Sequence, residues 1–148
     1  MRVVITTDGM ANPNPGKTRI GVIVENDTEV LSLISENSGF GTSNTAEYSA
    51  VLRGLKEAKE LGATIAVCYT DSQLVERQLN GVYRVADKRL RILHARIKDF
   101  ENAFTTVRYR WHSREAGRGP QADALAAGGE KAADVYRELI GSQEDPGT

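Results

Sequence analysis

The sequence predicts an α/β fold in which an antiparallel meander is continued by parallel strands reached through helical crossovers. Three observations carry this. Three strand-like runs follow one another near the N-terminus with only short polar breaks between them, and closely connected strands pair antiparallel. A strongly periodic helical stretch comes next. The short apolar run after it is followed by two more helices and a further alternating segment, and a strand-helix-strand order needs a crossover that makes the pairing parallel.

The three opening strands are Val3 to Thr7, Arg19 to Glu25 and Val30 to Ser35, separated by the turn-rich Asp8 to Lys17 and the polar Asn26 to Glu29. From Thr45 to Leu61 the apolar positions Tyr48, Val51, Leu52, Leu55, Ala58 and Leu61 recur at helical spacing, with Asn44 as N-cap and Gly62 as the stop. Thr64 to Thr70 reads as a short buried strand, followed by a helix over Ser72 to Leu79 that ends at Asn80-Gly81. A basic helix over Ala86 to Phe104 uses Leu90, Leu93, Ile97 and Phe100 as its apolar stripe, and Thr106 to Trp111 alternates as a fifth strand. Pro120 suits the first position of a closing helix running to Ile140, although Gly128 and Gly129 weaken it by about 1 kcal/mol each relative to Ala. The expected domain spans residues 1–140, and 141–148 reads as a disordered tail.

A chain of 148 residues fits one domain that buries roughly two thirds of its unfolded surface without disulfides or metals as staples. The single Cys68 lies in the apolar run Ile65 to Tyr69, which points to a buried structural thiol and a reducing, cytoplasmic compartment. The N-terminus is interrupted too early for a signal peptide, and no run approaches membrane-spanning length, so no membrane partner is expected. The formal charge is −1, yet Arg77 to Arg118 holds eleven Lys or Arg against four acids. That asymmetry reads either as a solvated helix face or as a surface for phosphates.

Four carboxylates, Asp8, Glu47, Asp71 and Asp123, each sit where an apolar stretch ends or a helix begins. Singly, each has a structural explanation: Asp8-Gly9 is a turn signal, Glu47 follows Asn44 as in a capping box, Asp71 caps a helix, and Asp123 lies in a first helical turn. Brought together by the fold, they would form a divalent-metal site of hard oxygen ligands suited to Mg2+.

The motifs Thr7-Asp8-Gly9 with Asn14-Pro15-Gly16, Asn44-Thr45-Ala46-Glu47, Thr70-Asp71-Ser72-Gln73 and Ala122-Asp123-Ala124-Leu125-Ala126 occur in this order, and the chain from about Arg2 to Ile140 resembles type 1 ribonuclease H. The resemblance implies the RNase H-like fold, a five-stranded mixed sheet flanked by helices. It further implies an endonuclease that cleaves the RNA strand of RNA/DNA hybrids, with two Mg2+ ions per site and Mn2+ as a substitute, acting as a monomer with no obligate protein partner. Carried over to this sequence, Asp8 bridges both ions, Glu47 and Asp71 complete one, and Asp123 completes the other. Gly9, Met10, Asn14, Gly16, Thr42, Ser43, Asn44 and Gln73 fall at positions expected to contact the hybrid, where polar groups reading a 2'-hydroxyl distinguish RNA from DNA. For Asn14-Pro15-Gly16 and Asn44, plain turn and cap roles remain open.

Two departures from the best-known members matter. Those members carry a mobile histidine before the last acid, thought to assist product release, whereas this loop reads Arg114-Glu115-Ala116-Gly117-Arg118. Arg114, Glu115 or Arg118 is then the candidate to take over; His94 and His112 read as structural. The segment Asn80 to Lys88 is also too short for the basic protrusion some members use to grip substrate, which leaves Arg77, Arg84, Lys88, Arg89 and Arg91 as candidate phosphate contacts. Three functional classes follow: a hybrid-specific endoribonuclease, favoured because all four acids are present; a binding module of the same fold without turnover; and a nuclease acting on duplex RNA or branched DNA.

Overall fold

The structure is a computed structural model that describes residues 1–141. Strands β1 (Arg2–Asn12), β2 (Gly16–Glu25) and β3 (Val30–Gly41) form the meander, and helix α1 (Ser43–Glu60) crosses to β4 (Ile65–Thr70). Helices α2 (Gln73–Leu79) and α3 (Lys88–Glu101) lead to β5 (Thr106–Trp111). Helices α4 (Gly119–Ala127) and α5 (Gly129–Tyr136) follow, then a π-helical turn over Arg137–Gly141. The sheet order is β3-β2-β1-β4-β5, with β1 antiparallel to β2 and parallel to β4, and β4 parallel to β5. This is the five-stranded mixed sheet of the RNase H-like fold.

Strand alternation sends successive side chains to opposite faces, so each face acquires its own core. Val3, Ile5, Val22, Val24 and Cys68 face α1 and pack with its Tyr48, Val51 and Leu55. Burial of each such aliphatic side chain is worth about 1.5–3 kcal/mol. On the other face, Ile23 packs under Ala122, Leu125, Ala132 and Val135 of α4 and α5. Cys68 is wholly buried and its thiol is pushed up to about 12 by that burial, in keeping with a structural thiol. Among the described residues no helix is long and apolar enough to cross a membrane.

Several boundaries differ from the expectations, each for a local reason. β1 runs on to Asn12 through the supposed turn, because its ladder with β2 continues to the Asn12–Lys17 pair. The turn itself shrinks to 13–15. Thr42, not Asn44, caps α1: its hydroxyl accepts from the Thr45 amide at 3.1 Å while the Thr45 hydroxyl accepts from the Thr42 amide at 2.9 Å. The capping box is thus Thr42 with Thr45, which leaves Glu47 without a capping role. Ser72 rather than Asp71 caps α2 by accepting from Val75. α3 begins at Lys88 because the Asp87 carboxylate takes the Arg89 and Leu90 amides, and it ends at Glu101. The single closing helix to Ile140 is two helices, broken where Gly128 and Gly129 take φ of 78° and 58°. The tail expected over 141–148 lies, except for Gly141, outside the described residues.

Candidate active site

Two glycines let helices from opposite sheet faces reach the sheet beside Asp8, within β1. A Cβ on Gly9 would collide with the Ala46 carbonyl and the Glu47 amide, so α1 rests its first turns directly on the strand and delivers Glu47 beside Asp8. Gly21 pairs with Asp8 across the β1–β2 ladder, and a Cβ there would collide with the Ala122 carbonyl and the Ala126 amide of α4. That contact sets Asp123 beside Asp8 from the other side. Asp71 follows the end of β4, where the Ser72 amide donates to the Thr70 hydroxyl at 3.1 Å and the Trp111 indole donates to the Asp71 carbonyl at 3.1 Å.

Carboxylate oxygens of Asp8, Glu47 and Asp71 all lie within 4.8 Å of one another. Asp123 stands outside that group of three, at the rim with its side chain 38% exposed, close enough for its charge to act on Asp8. The Gly9 amide donates to Glu47 Oε1 at 2.5 Å and to Asp8 Oδ1 at 3.0 Å, which orients both carboxylates. Burial pushes the Asp8 carboxyl up to about 7, helped by the charge of Asp71 and by the nearby Asp123, and opposed by Arg114. Glu47 is held well above the usual carboxylate range by burial and then by Asp8 and Asp71, with the Gly9 amide working against the shift. Carboxyls crowded this way lack positive charge. A hard divalent cation fits that donor set of oxygens.

Of the loop candidates only Arg114 answers the acids: its Nε lies 3.2 Å from Asp71 Oδ2 and 4.0 Å from Asp123 Oδ1. Arg118 turns away to Glu25 at 3.3 Å, and Glu115 is exposed to solvent. His112 stands edge-on to the Tyr69 ring, and His94 pairs with the Gln78 carbonyl.

The candidate substrate residues divide. Asn14, Thr42, Ser43 and Asn44 line one groove of about 460 Å³, in which the Ser43 amide donates to Asn14 Oδ1 at 3.1 Å. Gln73 is exposed on the first turn of α2, Met10 pairs with Arg19 in the ladder, and buried Gly16 opens β2 against Pro13.

A model of the family described as reverse transcriptase-like matches residues 6–128. The N-terminal RNase H domain of a bifunctional Mycobacterium tuberculosis protein superposes with a TM-score of 0.81 at 34% identity, covering 86% of this chain and 97% of that domain. RNase H1 of Halobacterium salinarum superposes with a TM-score of 0.82 at 30% identity, covering 90% of this chain and 99% of that one. This chain belongs to the type 1 ribonuclease H family. A further member, LC11-RNase H1 solved in complex with an RNA/DNA hybrid, gives a TM-score of 0.78 at 30% identity, covering 84% of this chain and 94% of that one. The chain spans only 39% of the full-length mycobacterial protein, to which it is 33% identical over 148 residues, 99% of its own length.

As a ribonuclease H family member the chain is compact: α2 ends at Leu79 and α3 begins at Lys88, so no helical protrusion separates them. Sequence reasoning missed what holds this short connection. The buried Tyr48 hydroxyl donates to Gln78 Oε1 at 2.6 Å, and Gln78 Nε2 donates to the Arg84 carbonyl at 3.1 Å, which places Arg84 on the wall of the Asn14–Asn44 groove. Gln78 carried no sequence signal. Gly21 carried one, since a lone glycine inside an apolar strand marks a close backbone approach.

Proposed function

We propose that the chain is an endoribonuclease that hydrolyses the RNA strand of RNA/DNA hybrids, using Mg2+, for which Mn2+ substitutes. The observation that carries this reading is the convergence of carboxylate oxygens of Asp8, Glu47 and Asp71 within 4.8 Å, with Asp123 at the rim close enough to raise the Asp8 carboxyl. Two divalent ions held there would supply an activated water and neutralise charge on the leaving oxygen. Asp8 would bridge them, Glu47 and Asp71 would hold one, and Asp123 the other.

The remaining residues bind and orient. The Gly9 amide keeps the Glu47 carboxylate turned toward Asp8. Asn14, Thr42, Ser43, Asn44 and Arg84 offer donors in the adjoining groove for the sugar-phosphate backbone, and the polar groups among them would read 2'-hydroxyls. Gly9, Met10, Gly16 and Gln73 are carried as contacts by family position alone. Arg114 takes the place of the loop histidine: it reaches Asp71 and Asp123 from an exposed position, where it would follow the charge of the site as product leaves. The co-crystallised relative's hybrid supports the choice of substrate.

Cleavage of an end-labelled hybrid at low salt, with Mg2+ and then Mn2+, tests the reading. Only the RNA strand of the hybrid should be cut, duplex and single-stranded RNA should survive, and Asp8→Asn should be inactive. Hybrid binding without turnover would favour a binding module instead.

A further inference from the structure

Asp123 reaches the site by a different route from the other three acids. Asp8, Glu47 and Asp71 stand on or beside elements that share the larger core, whereas Asp123 stands on α4, nine residues long and lacking a side-chain cap at its start. Besides its contact with Gly21, side chains tie the other end of this helix to the sheet. Ser35 Oγ donates to the Leu125 carbonyl at 2.6 Å, and Arg19 Nε donates to the Ala126 carbonyl at 3.1 Å. These are two of the last-turn carbonyls that an α-helix leaves unpaired, and a cation there also suits the helix dipole.

The guanidinium is itself seated. Arg19 Nη1 donates to Asn37 Oδ1 at 2.9 Å and Nη2 to Ser35 Oγ at 2.8 Å, so all three of its nitrogens are engaged. A Cβ on Gly128 would strike the guanidinium, so the residue that ends α4 leaves room for it. Arg19 stands two residues before Gly21 on the same strand face, and Gly21 is the residue paired with Asp8.

We propose that Arg19, seated by Ser35 and Asn37, is a positioning residue that sets the depth and register of α4 on the sheet and thereby the reach of Asp123 to Asp8. The inference rests on the metal-site reading above. It assigns Arg19 a role in divalent-ion binding although nothing places its side chain among the ligands.

Mn2+ binding measured without nucleic acid, by calorimetry or by the free-ion electron paramagnetic resonance signal, tests this alongside hybrid cleavage and thermal melting. Arg19→Ala should weaken Mn2+ binding on the order of tenfold, the lower end expected for groups that orient ligands. Arg19→Lys, a single point donor that lacks the fork, should recover part of the loss. Asn37→Ala, which loosens Arg19 without touching α4, should show a smaller loss and serves if Arg19→Ala does not fold. In an Asp123→Asn background, Arg19→Ala should add nothing. Wild-type Mn2+ affinity in Arg19→Ala and Asn37→Ala, with only the melting temperature lowered, would overturn the proposal, as would full additivity with Asp123→Asn. Absence of Mn2+ binding by the wild type would remove the metal-site reading and this inference together, so the two failures are separable.

Discussion

At the scale of single residues the site is a set of carboxyls that the fold makes uncomfortable. Asp8 rises from 3.8 to about 7, chiefly through burial, so between those values the folded chain without metal holds more protons than the unfolded chain. Stability without metal therefore falls as pH rises from about 4 to about 7 and levels off above that. Glu47, raised chiefly by burial, shifts stability in the same direction. Metal-free protein should melt at a lower temperature at pH 8 than at pH 5, and added Mg2+ should recover more at pH 8; melting temperatures that do not differ would remove the electrostatic argument. Asp8→Asn deletes a buried charge and should melt above the wild type at pH 8 without metal, while losing hybrid cleavage. Arg114 draws the Asp8 value down, so Arg114→Ala should steepen the pH dependence and lower kcat more than it weakens Mg2+ binding. An Arg114→Ala protein with unchanged kcat would leave the loop without its proposed role in turnover.

Among the elements, what builds the site is how closely helices approach strands, and this is where sequence and structure part company. The four acids were legible because short motifs fall in the order of a known family, yet their spacing along the chain says nothing about convergence. That convergence depends on α1 and α4 touching backbone at Gly9 and Gly21 on opposite sheet faces. A glycine in a turn-like Asp8-Gly9 pair reads as a turn, whereas here it sits in a strand that continues to Asn12. Composition misled because Gly, Asn and Pro are poor strand formers, and only the ladder to β2 overrides them. Asn44 was likewise the better N-cap by type alone, but the extended backbone falls at Thr42, and a hydroxyl at Thr45 answers it. The fold class, five strands and crossover order were legible because they rest on periodicity; the helix ends were not, because caps are decided by one or two hydrogen bonds. Gly9→Ala would force α1 away from β1 and should cost about 1–3 kcal/mol, the range for overpacking a close contact. Equilibrium urea unfolding measures that, and a protein of wild-type stability would mean the helix has room to give.

For the whole molecule, the question is how a chain of formal charge −1 without a basic protrusion holds a polyanion. The positive charge is local rather than global. Lys88, Arg89 and Arg91 are exposed on α3, and Arg84 stands on the groove wall through the chain from Tyr48 to Gln78 to its own carbonyl. Arg77 is engaged otherwise, its guanidinium 5.8 Å from the Tyr83 ring centroid, where it serves the connection itself. With few phosphate contacts on this domain, its affinity should be modest and governed by counterion release, falling linearly in a log-log plot against salt. Arg84→Ala should weaken hybrid binding uniformly across sequences and reduce that slope by about 1, as expected for one lost phosphate contact. Tyr48→Phe removes the hydroxyl that holds Gln78, and it should weaken binding by freeing Arg84 while leaving the salt slope unchanged, since the guanidinium is still present. Fluorescence anisotropy of a labelled hybrid on inactive Asp8→Asn protein, titrated between about 50 and 200 mM salt, separates the two. A slope unmoved by Arg84→Ala would place the phosphate contacts on α3 alone.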